Sequence, residues 1–562
     1  MRENHRKMAS LINMLKTLKP IIYQLLPRTF TNYNETRHHA GTLQENGCGT
    51  LNAITPRALR AIRDLGATHV WYTGIIRHAT AQYNTPTIVK GKAGSPYAIT
   101  DYYDVHPDLC ENKRRRMQEF TELVERTHKA NLKVIIDFVP NHVAREYHST
   151  CKPKGVEDLG ANDNPQWAFS PLNNFYYIPN ETFAPQFDID SYHEYPARAT
   201  GNDCFTAHPS RDDWYETIKL NYGVFYQGGG EQQFSPLPDT WKKMYNIVLF
   251  WASKGVDAFR CDMAEMVPQA FWQWLIPQVK EKYPELLFIA EVYNPNLYRD
   301  YLAAGFDYLY DKVGMYDYLR GVTSKNWSAE GITQQWQCVD DIRHNMLYFL
   351  ENHDEQRIAS GFFCGRGMCA EPAMIVAATL GNNPVMIYAG QELGEKGMDA
   401  EGFSGMDGKT SIFDYWGVKS IQAWTNHGKF DGAHLSEEQR DLRNFYRQLL
   451  RTARSEKAIT QGEMYDLVYA QKEGFNKHEQ YAFIRKYKHH TLLIVVNFDD
   501  CQRDIQVRIP QEAFEHLAQQ EYDTVQATDL LTDTPYTFPF NAHTPVCLTL
   551  PAWKGVVLKL NH

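Results

Sequence analysis

Four polar clusters bring together the side chains that acid–base and nucleophilic chemistry requires. They are DFVPNH (137–142), AFRCD (258–262), FIAE (288–291) and FLENHDEQR (349–357). Each cluster ends a short run of β-branched or aromatic residues, which predicts a strand followed directly by polar side chains. Charged groups are unfavourable to bury unless they are paired or serve a purpose. A network of ion pairs that joins strand ends is the structural alternative, but four such clusters together favour a reactive site.

The residue types fit the cleavage of a glycosidic bond. A retaining enzyme needs a carboxylate nucleophile and a carboxylic acid about 5–5.5 Å apart. Side chains alternate along a strand, so Arg260 and Asp262 share a face, and the cation is expected to hold Asp262 ionised as the nucleophile. Glu291 would be the acid/base, a role that requires a raised pKa. Asp354 and His353 would bind sugar hydroxyls as an oxocarbenium-like state forms.

The elements that must position these clusters alternate between strands and helices. Eight runs predict strands, which begin at Ile21, Thr68, Lys133, Asp257, Leu287, Tyr308, Met346 and Pro384. Helices are predicted between several of them, as in PRALRAIRDL (56–65), which Thr55-Pro56 opens and Gly66 closes. This alternation implies a parallel sheet, and eight repeats fit a closed (β/α)8 barrel better than an open sheet. Polar groups at the carboxyl ends of barrel strands converge on one site.

The chain is longer than one barrel, since it has 562 residues and a barrel takes about 250. We predict an α/β fold: a (β/α)8 TIM barrel (1–144 and 241–460), an inserted subdomain after the third strand (145–240), and a C-terminal antiparallel β-sandwich (461–562). The insertion is rich in Asn, Pro, Gly and aromatic residues. The C-terminal part contains the strand-like runs YAFIRKY, TLLIVVNF, DIQVRI, VCLTL and GVVLKL.

Composition argues against several other classes of protein. A formal net charge of −9 gives no support to a nucleic-acid partner. The ten cysteines are scattered without a Cys-x-x-Cys pair, which favours reduced thiols over a disulfide framework or a zinc site. The N-terminal stretch MRENHRKMASLINMLKTLKP has no long apolar run and no cleavage site, so we expect neither a signal peptide nor a membrane anchor. Together these features predict a cytoplasmic location.

The four clusters resemble the signature regions of the α-amylase family of glycoside hydrolases, in the same order and at similar distances. Further segments are similar to the family's first strand, its loop after the second strand, its eighth strand and a short motif of its inserted domain: IIYQLLPRTF (21–30), SPYAITDYYDVHP (95–107), NNPVMIYAGQELG (382–394) and KLNY (219–222). The resemblance covers the chain from about residue 20 to 415. Several motifs in the same order are specific where a single one would not be.

The resemblance implies a role for each matching residue. Asp262 would be the nucleophile, Glu291 the acid/base and Asp354 the transition-state stabiliser. The subsite for the cleaved sugar would be lined by Tyr97, His142, Arg260 and His353, with Tyr97 stacking beneath the sugar. Arg357 is expected to contact hydroxyls of the same sugar, and Asp137 to support the site. A core ring for Tyr97 and a capping histidine for His142 are the packing alternatives.

The sequence departs from the family where many members bind calcium. The Lys-His pair that follows the family's nucleophile is replaced here by Glu265 and Met266. Calcium needs six to eight oxygen ligands, which Asn141 alone cannot supply. We therefore expect no metal site and no required cofactor, although the family itself includes calcium binders.

Three functions remain open on these residues. Hydrolysis of an α-glucan or a maltooligosaccharide and transglycosylation to a sugar acceptor use the same groups, and differ in access of water and acceptor. An inactive binding module is the third, but this chain keeps all three carboxylates. The expected partner is an oligo- or polysaccharide substrate, with no nucleic acid and no membrane. GMDGKTS (405–411) approaches a phosphate-binding loop, but Phe403 stands where that motif requires glycine.

Overall fold

The computed structural model of the protein describes residues 19–397 and 401–561. Most of the N-terminal stretch for which we expect no signal peptide or anchor lies outside these described residues. Within the described ranges, none of the helices has the length and apolar character needed to cross a bilayer.

Eight parallel strands close into a barrel, as the sequence predicts. In chain order they are β1 (Ile21–Leu25), β2 (His69–Tyr72), β3 (Lys133–Phe138), β4 (Ala258–Cys261), β5 (Leu287–Ala290), β6 (Tyr308–Tyr310), β7 (Met346–Phe349) and β8 (Val385–Tyr388). Each strand pairs with the next one along the chain, and β8 closes the ring against β1, with Val385 opposite Ile21. This confirms the (β/α)8 fold class.

The alternation of side chains along each strand divides the core into two layers. In β1, Ile22 packs inside the barrel together with Trp71, while Ile21 and Tyr23 pack outward in the helix layer. The same period in β4 places Ala258 inside and Cys261 outside. Arg260 therefore shares the inward face of β4 with Ala258, as the two-residue period predicts.

Helices cover the barrel, and their ends follow local capping rules. The longer ones are Pro56–Leu65, Arg116–Lys129, Asp239–Ala252, Gln269–Lys282, Asp317–Thr323, Ile332–Cys338, Glu371–Thr379, Lys419–Thr425 and Glu437–Ser455. The first begins where the Thr55 side chain accepts the N–H of Ala58, and ends at Gly66 in a left-handed conformation that favours glycine. A capping box between Ser436 and Gln439 starts the last.

The segment between β3 and β4 carries short antiparallel pairs ahead of its helix, Asp239–Ala252. These pairs are His142–Ala144 with Thr217–Lys219, Tyr177–Ile178 with Ala197–Arg198, and Val224–Phe225 with Glu231–Gln232. The first pair begins at His142, directly beyond the end of β3, so the insertion is joined to the mouth of the barrel. Inside the insertion, Glu194 is buried between Arg145 and Arg198, each with a nitrogen 2.8 Å from a Glu194 carboxylate oxygen.

The C-terminal part is antiparallel. A six-stranded sheet is formed by Glu463–Asp466, Gln480–Tyr487, His490–Asn497, Gly555–Asn561, Tyr522–Asp529 and Pro535–Phe540, in that spatial order. A two-stranded sheet, Arg503–Val507 with Val546–Leu550, shares one apolar core with it. A C-terminal antiparallel β-structure is therefore confirmed. Lys554 Nζ lies 2.6 Å from Glu371 Oε1 and ties this part to a buried barrel helix.

Candidate active site

The site forms where the backbone extends one residue beyond strands β4 and β5. The Asp262 N–H donates to the Phe138 carbonyl at 2.9 Å, and the Glu291 N–H donates to the Cys261 carbonyl at 3.2 Å. Barrel hydrogen bonding thus fixes the backbone of both carboxylate residues. Their side chains are almost fully buried, with 8% of Asp262 and 2% of Glu291 exposed.

One guanidinium group holds the carboxylates together. Arg260 Nη1 donates to Asp262 Oδ1 at 2.6 Å and to Asp137 Oδ1 at 3.3 Å. Its Nη2 forms an ion pair with Glu291 Oε2 at 2.7 Å. The guanidinium carbon also lies 5.3 Å from the ring centres of Trp71 and Tyr97. A planar fork of donors suits this sharing better than a lysine would.

The charge balance corrects one expectation drawn from the sequence. Arg260 lowers the pKa of Asp262, but burial, which is the largest influence, together with the charges of Glu291 and Asp137 outweighs it and raises that pKa well above its ordinary value. Burial likewise raises the pKa of Asp137 to about 6, although Arg260 opposes it. One cation thus serves several carboxylates and cannot hold all of them ionised.

Tyr97 and His353 pack against one another beside the buried carboxylates. Their rings stack with centres 5.1 Å apart, and Tyr97 Oη lies 2.5 Å from His353 Nε2. On the other side of the imidazole, Gln24 Nε2 lies 2.8 Å from Nδ1. An amide nitrogen only donates, so Nδ1 accepts and Nε2 carries the hydrogen. Burial and then Arg260 hold the pKa of His353 well below its ordinary value, so the ring is neutral.

Asp354 is the most open carboxylate of the predicted three. Its side chain is 41% exposed, and its Oδ2 lies 3.1 Å from His353 Nε2. The Asn352 side chain accepts the N–H groups of Asp354 and Glu355 and so fixes the turn that follows β7. An exposed carboxylate braced by a neutral histidine is available to a sugar hydroxyl.

His142 lies between β3 and the insertion, opposite Lys219. Its ring contacts Trp214 edge-on, with centres 5.3 Å apart, and is hydrogen-bonded to the Tyr97 backbone. Burial, then the charge of Lys219, lowers the pKa of His142 to about 3, so it acts as a neutral donor or acceptor. The structure therefore brings together Asp262, Glu291, Asp354, Tyr97, His142, Arg260 and His353.

Arg357 does not join this group, which corrects the role expected for it. Its side chain is 1% exposed, and Nη1 lies 2.7 Å from Glu351 Oε2. Nε donates to Thr410 Oγ1 at 2.9 Å and Nη2 to the Ala389 carbonyl at 3.0 Å. With a protein partner on every nitrogen and burial beneath the loops, Arg357 joins β7 to the loops after β8 and presents no group to a sugar.

A lysine ammonium lies where the family resemblance implies calcium. Lys219 Nζ is 2.7 Å from Asp203 Oδ1 and 3.2 Å from the Met266 carbonyl, and it also donates to Asn141 Oδ1. Three donors meet three oxygens, so the group is saturated. The oxygen set around Asn141 therefore does not fit a divalent cation while Lys219 lies among those atoms. In the described part of the chain, acidic groups spaced for a metal lie elsewhere, at Asp101–Asp104–Cys151 and Asp499–Asp500–Cys501.

Sequence reasoning missed two functional side chains. Gln24, which orients His353, is the one polar residue within the buried run IIYQL, and that position was a usable signal. Tyr293 donates to Glu291 Oε1 at 2.5 Å. It stands two residues after Glu291, where strand-like alternation would direct it to the same face.

A closed barrel whose carboxylates and arginine converge at the carboxyl ends of its strands defines a class of glycosidase-like catalytic domains. The sequence model of the alpha-amylase catalytic domain matches residues 24–414. The chain belongs to the α-amylase family of glycoside hydrolases.

The relatives that the chain matches include proteins named as transferases and proteins named as amylases. The chain is similar to the alpha-1,4-glucan:maltose-1-phosphate maltosyltransferase of Cereibacter sphaeroides, with 25% identity over 389 residues that cover 66% of this chain and 46% of that protein. It is also similar to alpha-amylase 3 of Dictyoglomus thermophilum, with 23% identity over 79% of each chain. The chain spans about half the length of the first curated relatives that it matches, 44% to 52%.

Solved structures share the fold over nearly the whole chain. The maltogenic alpha-amylase AmyB of Thermotoga neapolitana superposes with a TM-score of 0.63 at 18% identity, over 97% of this chain and 99% of that one. At this identity the likeness concerns the fold, including the C-terminal β-structure.

Proposed function

We propose that the protein is a retaining α-glycoside hydrolase that acts on α-glucans or maltooligosaccharides through a covalent glycosyl-Asp262 intermediate. The observation that carries the proposal is the shared guanidinium: Arg260 contacts Asp262 at 2.6 Å and Glu291 at 2.7 Å. A single guanidinium that contacts both carboxylates brings them together on neighbouring strands, as the nucleophile and the acid/base of a retaining enzyme require.

The two steps follow from the positions of these groups. Glu291 gives its proton to the glycosidic oxygen while Asp262 attacks the anomeric carbon, so the bond to the leaving sugar breaks as the ester bond forms. In the second step Glu291 takes a proton from water, the water oxygen attacks the anomeric carbon, and Asp262 leaves as a carboxylate. Asp354 binds hydroxyls of the sugar ring between the two steps.

Neutral side chains complete the sugar pocket in this proposal. His142 and His353 offer hydrogen bonds without a positive charge that would oppose the oxocarbenium-like state, because both have lowered pKa values. The Tyr97 ring provides a flat apolar face beside the buried carboxylates. Lys219 supplies a fixed cation at the junction of barrel and insertion, so we propose that no cofactor is required.

Transglycosylation is the second candidate, favoured by the similarity to maltosyltransferases. The covalent intermediate is the same, and the outcome depends on whether water or a sugar reaches it. Incubation with maltotriose, followed by chromatography and by NMR of the anomeric protons, separates the two. Hydrolysis predicts glucose and maltose with the new reducing end first released as the α-anomer. Longer oligosaccharides as main products would favour the transferase, and first release of the β-anomer would contradict a retaining enzyme.

We also propose that the protein works in a reducing, cytoplasmic compartment. All ten cysteines are free thiols, and Cys261, Cys110 and Cys369 are buried. Reduced thiols persist where glutathione and thioredoxin act. Fractionation of the source cells tests this, and recovery of the protein in the extracellular medium would contradict it.

A further inference from the structure

Tyr293 and Glu265 form a chain of contacts that ends on the proposed acid/base. We propose that Tyr293 is a positioning residue that orients Glu291 and strengthens it as a proton donor, and that Glu265 holds the loop carrying Tyr293. The inference rests on the proposed function, in which Glu291 is the acid/base. It assigns a role to Glu265, the position at which the sequence departs from its family.

The two oxygens of Glu291 have different partners. Oε2 accepts the Met263 N–H at 2.8 Å and lies 2.7 Å from Arg260 Nη2. Oε1 is bound by the Tyr293 hydroxyl alone, at 2.5 Å. Since a proton on Oε2 would face both the Arg260 cation and the Met263 N–H, Oε1 is the more favourable oxygen for a proton. The transferable proton therefore resides on the oxygen that Tyr293 contacts.

The loop that carries Tyr293 is fixed through its backbone. Glu265 Oε2 accepts the N–H of Tyr293 at 3.1 Å and the N–H of Asn294 at 3.0 Å. Glu265 lies in the short turn Ala264–Met266 that follows β4, so it joins the loop after β4 to the loop after β5. A lysine at this position would have no acceptor for these two N–H groups.

The hydrogen bond changes strength as Glu291 changes its charge. A hydroxyl donates more strongly to a carboxylate than to a carboxylic acid oxygen. In the first step the proton moves from Glu291 Oε1 to the glycosidic oxygen, while the Tyr293 proton stays on the phenol and its bond to Oε1 tightens. Burial, followed by the charge of Glu291, raises the pKa of Tyr293 well above its ordinary value, so the phenol remains a donor throughout.

Other ionisable groups also face Glu291, and their charges act on it alongside the Tyr293 contact. They are Arg260, Asp262, Asp137, Tyr310 and His353. Each of these stays in place when the Tyr293 hydroxyl is removed, so a substitution of that hydroxyl isolates one contribution.

Tyr293→Phe is the test, with Tyr176→Phe as the matched control. Tyr176 is also buried, and its hydroxyl donates to the Val224 carbonyl at 2.6 Å inside the insertion. Loss of a hydrogen bond to the charged form of Glu291 should lower turnover of maltooligosaccharides about tenfold. Turnover of α-maltosyl fluoride, whose leaving group needs no proton, stays within about twofold. Equal losses on both substrates, or none, would overturn the inference.

Glu265→Ala probes the second contact. It should lower oligosaccharide turnover in the wild-type background and add little in the Tyr293→Phe background, because release of the loop acts through the hydrogen bond that Tyr293→Phe has already removed. Fully additive losses would show that Glu265 acts independently of Tyr293.

A titration separates this inference from the proposed function. The carboxyl carbon of Glu291, identified in labelled protein by its loss in Glu291→Gln, is followed by NMR against pH in wild type and in Tyr293→Phe. An upward move of its pKa in the variant supports the inference even if no glycoside is cleaved, and an unchanged pKa overturns it even if the enzyme is active. Full oligosaccharide cleavage by Glu291→Gln would instead contradict the proposed function.

Discussion

Arg260 Nη2 lies 2.7 Å from Glu291 Oε2, across the gap between two neighbouring barrel strands. The same guanidinium contacts Asp262 through its other terminal nitrogen at 2.6 Å. The proposed acid and the proposed nucleophile are therefore coupled through one buried cation, and any change to that cation acts on both.

Substitution of Arg260 by methionine should destabilise the fold strongly. Arg260 is 1% exposed, and its loss leaves Asp262, Glu291 and Asp137 without their cation. Removal of one partner from a buried pair lowers the free energy of unfolding by about 3–5 kcal/mol. Urea unfolding measures this, with Arg115→Met as the control, because Arg115 is an exposed partner of Glu122 and its loss should have little effect. Equal stability of the two variants would contradict the shared-cation account.

Stability should fall with rising pH through the titration of Asp137. Its pKa is raised to about 6 in the native state by burial, against about 3.9 in the unfolded chain. Between these values the native state keeps a proton that the unfolded state has lost. The stabilising contribution is thus present below pH 4 and is lost as the pH rises through 6, by about 2–3 kcal/mol.

Asp137→Asn does not titrate and provides the comparison. The free energy of unfolding of wild type minus that of the variant should decrease by about 2–3 kcal/mol between pH 4 and pH 7. Urea titrations at four pH values in that range measure the difference. A difference that stays constant would show that the native pKa of Asp137 is not raised.

Chelation of metals should leave the protein unchanged, because Lys219 occupies the oxygen set between the barrel and the insertion. EDTA is expected to shift the melting temperature by less than about 1 °C, whereas Lys219→Met removes a side chain that is 2% exposed and leaves Asn141 without its donor. The melting temperature of that variant should fall by several degrees. A rise of several degrees when calcium is added to wild type would contradict this view.

The fold was predictable where apolar runs are long and turn signals are clear. All eight barrel strands and the helix Glu437–Ser455 follow from such patterns. The strands Tyr522–Asp529 and Pro535–Phe540 were not predicted. In the first, buried residues alternate with exposed polar ones, and the second begins with a proline and contains another. Neither carries the apolar run that marks its neighbours.

The site was predictable as a set of residues but not as a network. Of the eight side chains that the motifs identified, the structure groups seven. Arg357 was expected to bind sugar, and only the fold shows that Glu351, Thr410 and the Ala389 carbonyl occupy its nitrogens. The prediction that Arg260 holds Asp262 ionised was wrong for a related reason. Spacing shows that Arg260 is near, but only the fold shows how many carboxylates share it.

Trapping of the covalent intermediate tests the central claim most directly. The Glu291→Gln variant keeps Asp262 and Arg260 but lacks the group that assists attack by water, so a 5-fluoro-α-glucosyl fluoride substrate should form an ester that accumulates. Peptide mass spectrometry locates the added sugar. The account predicts one sugar per chain on the peptide that contains Asp262, and no label in Asp262→Asn. A label on Asp354, or fluoride release with no label on any peptide, would contradict it.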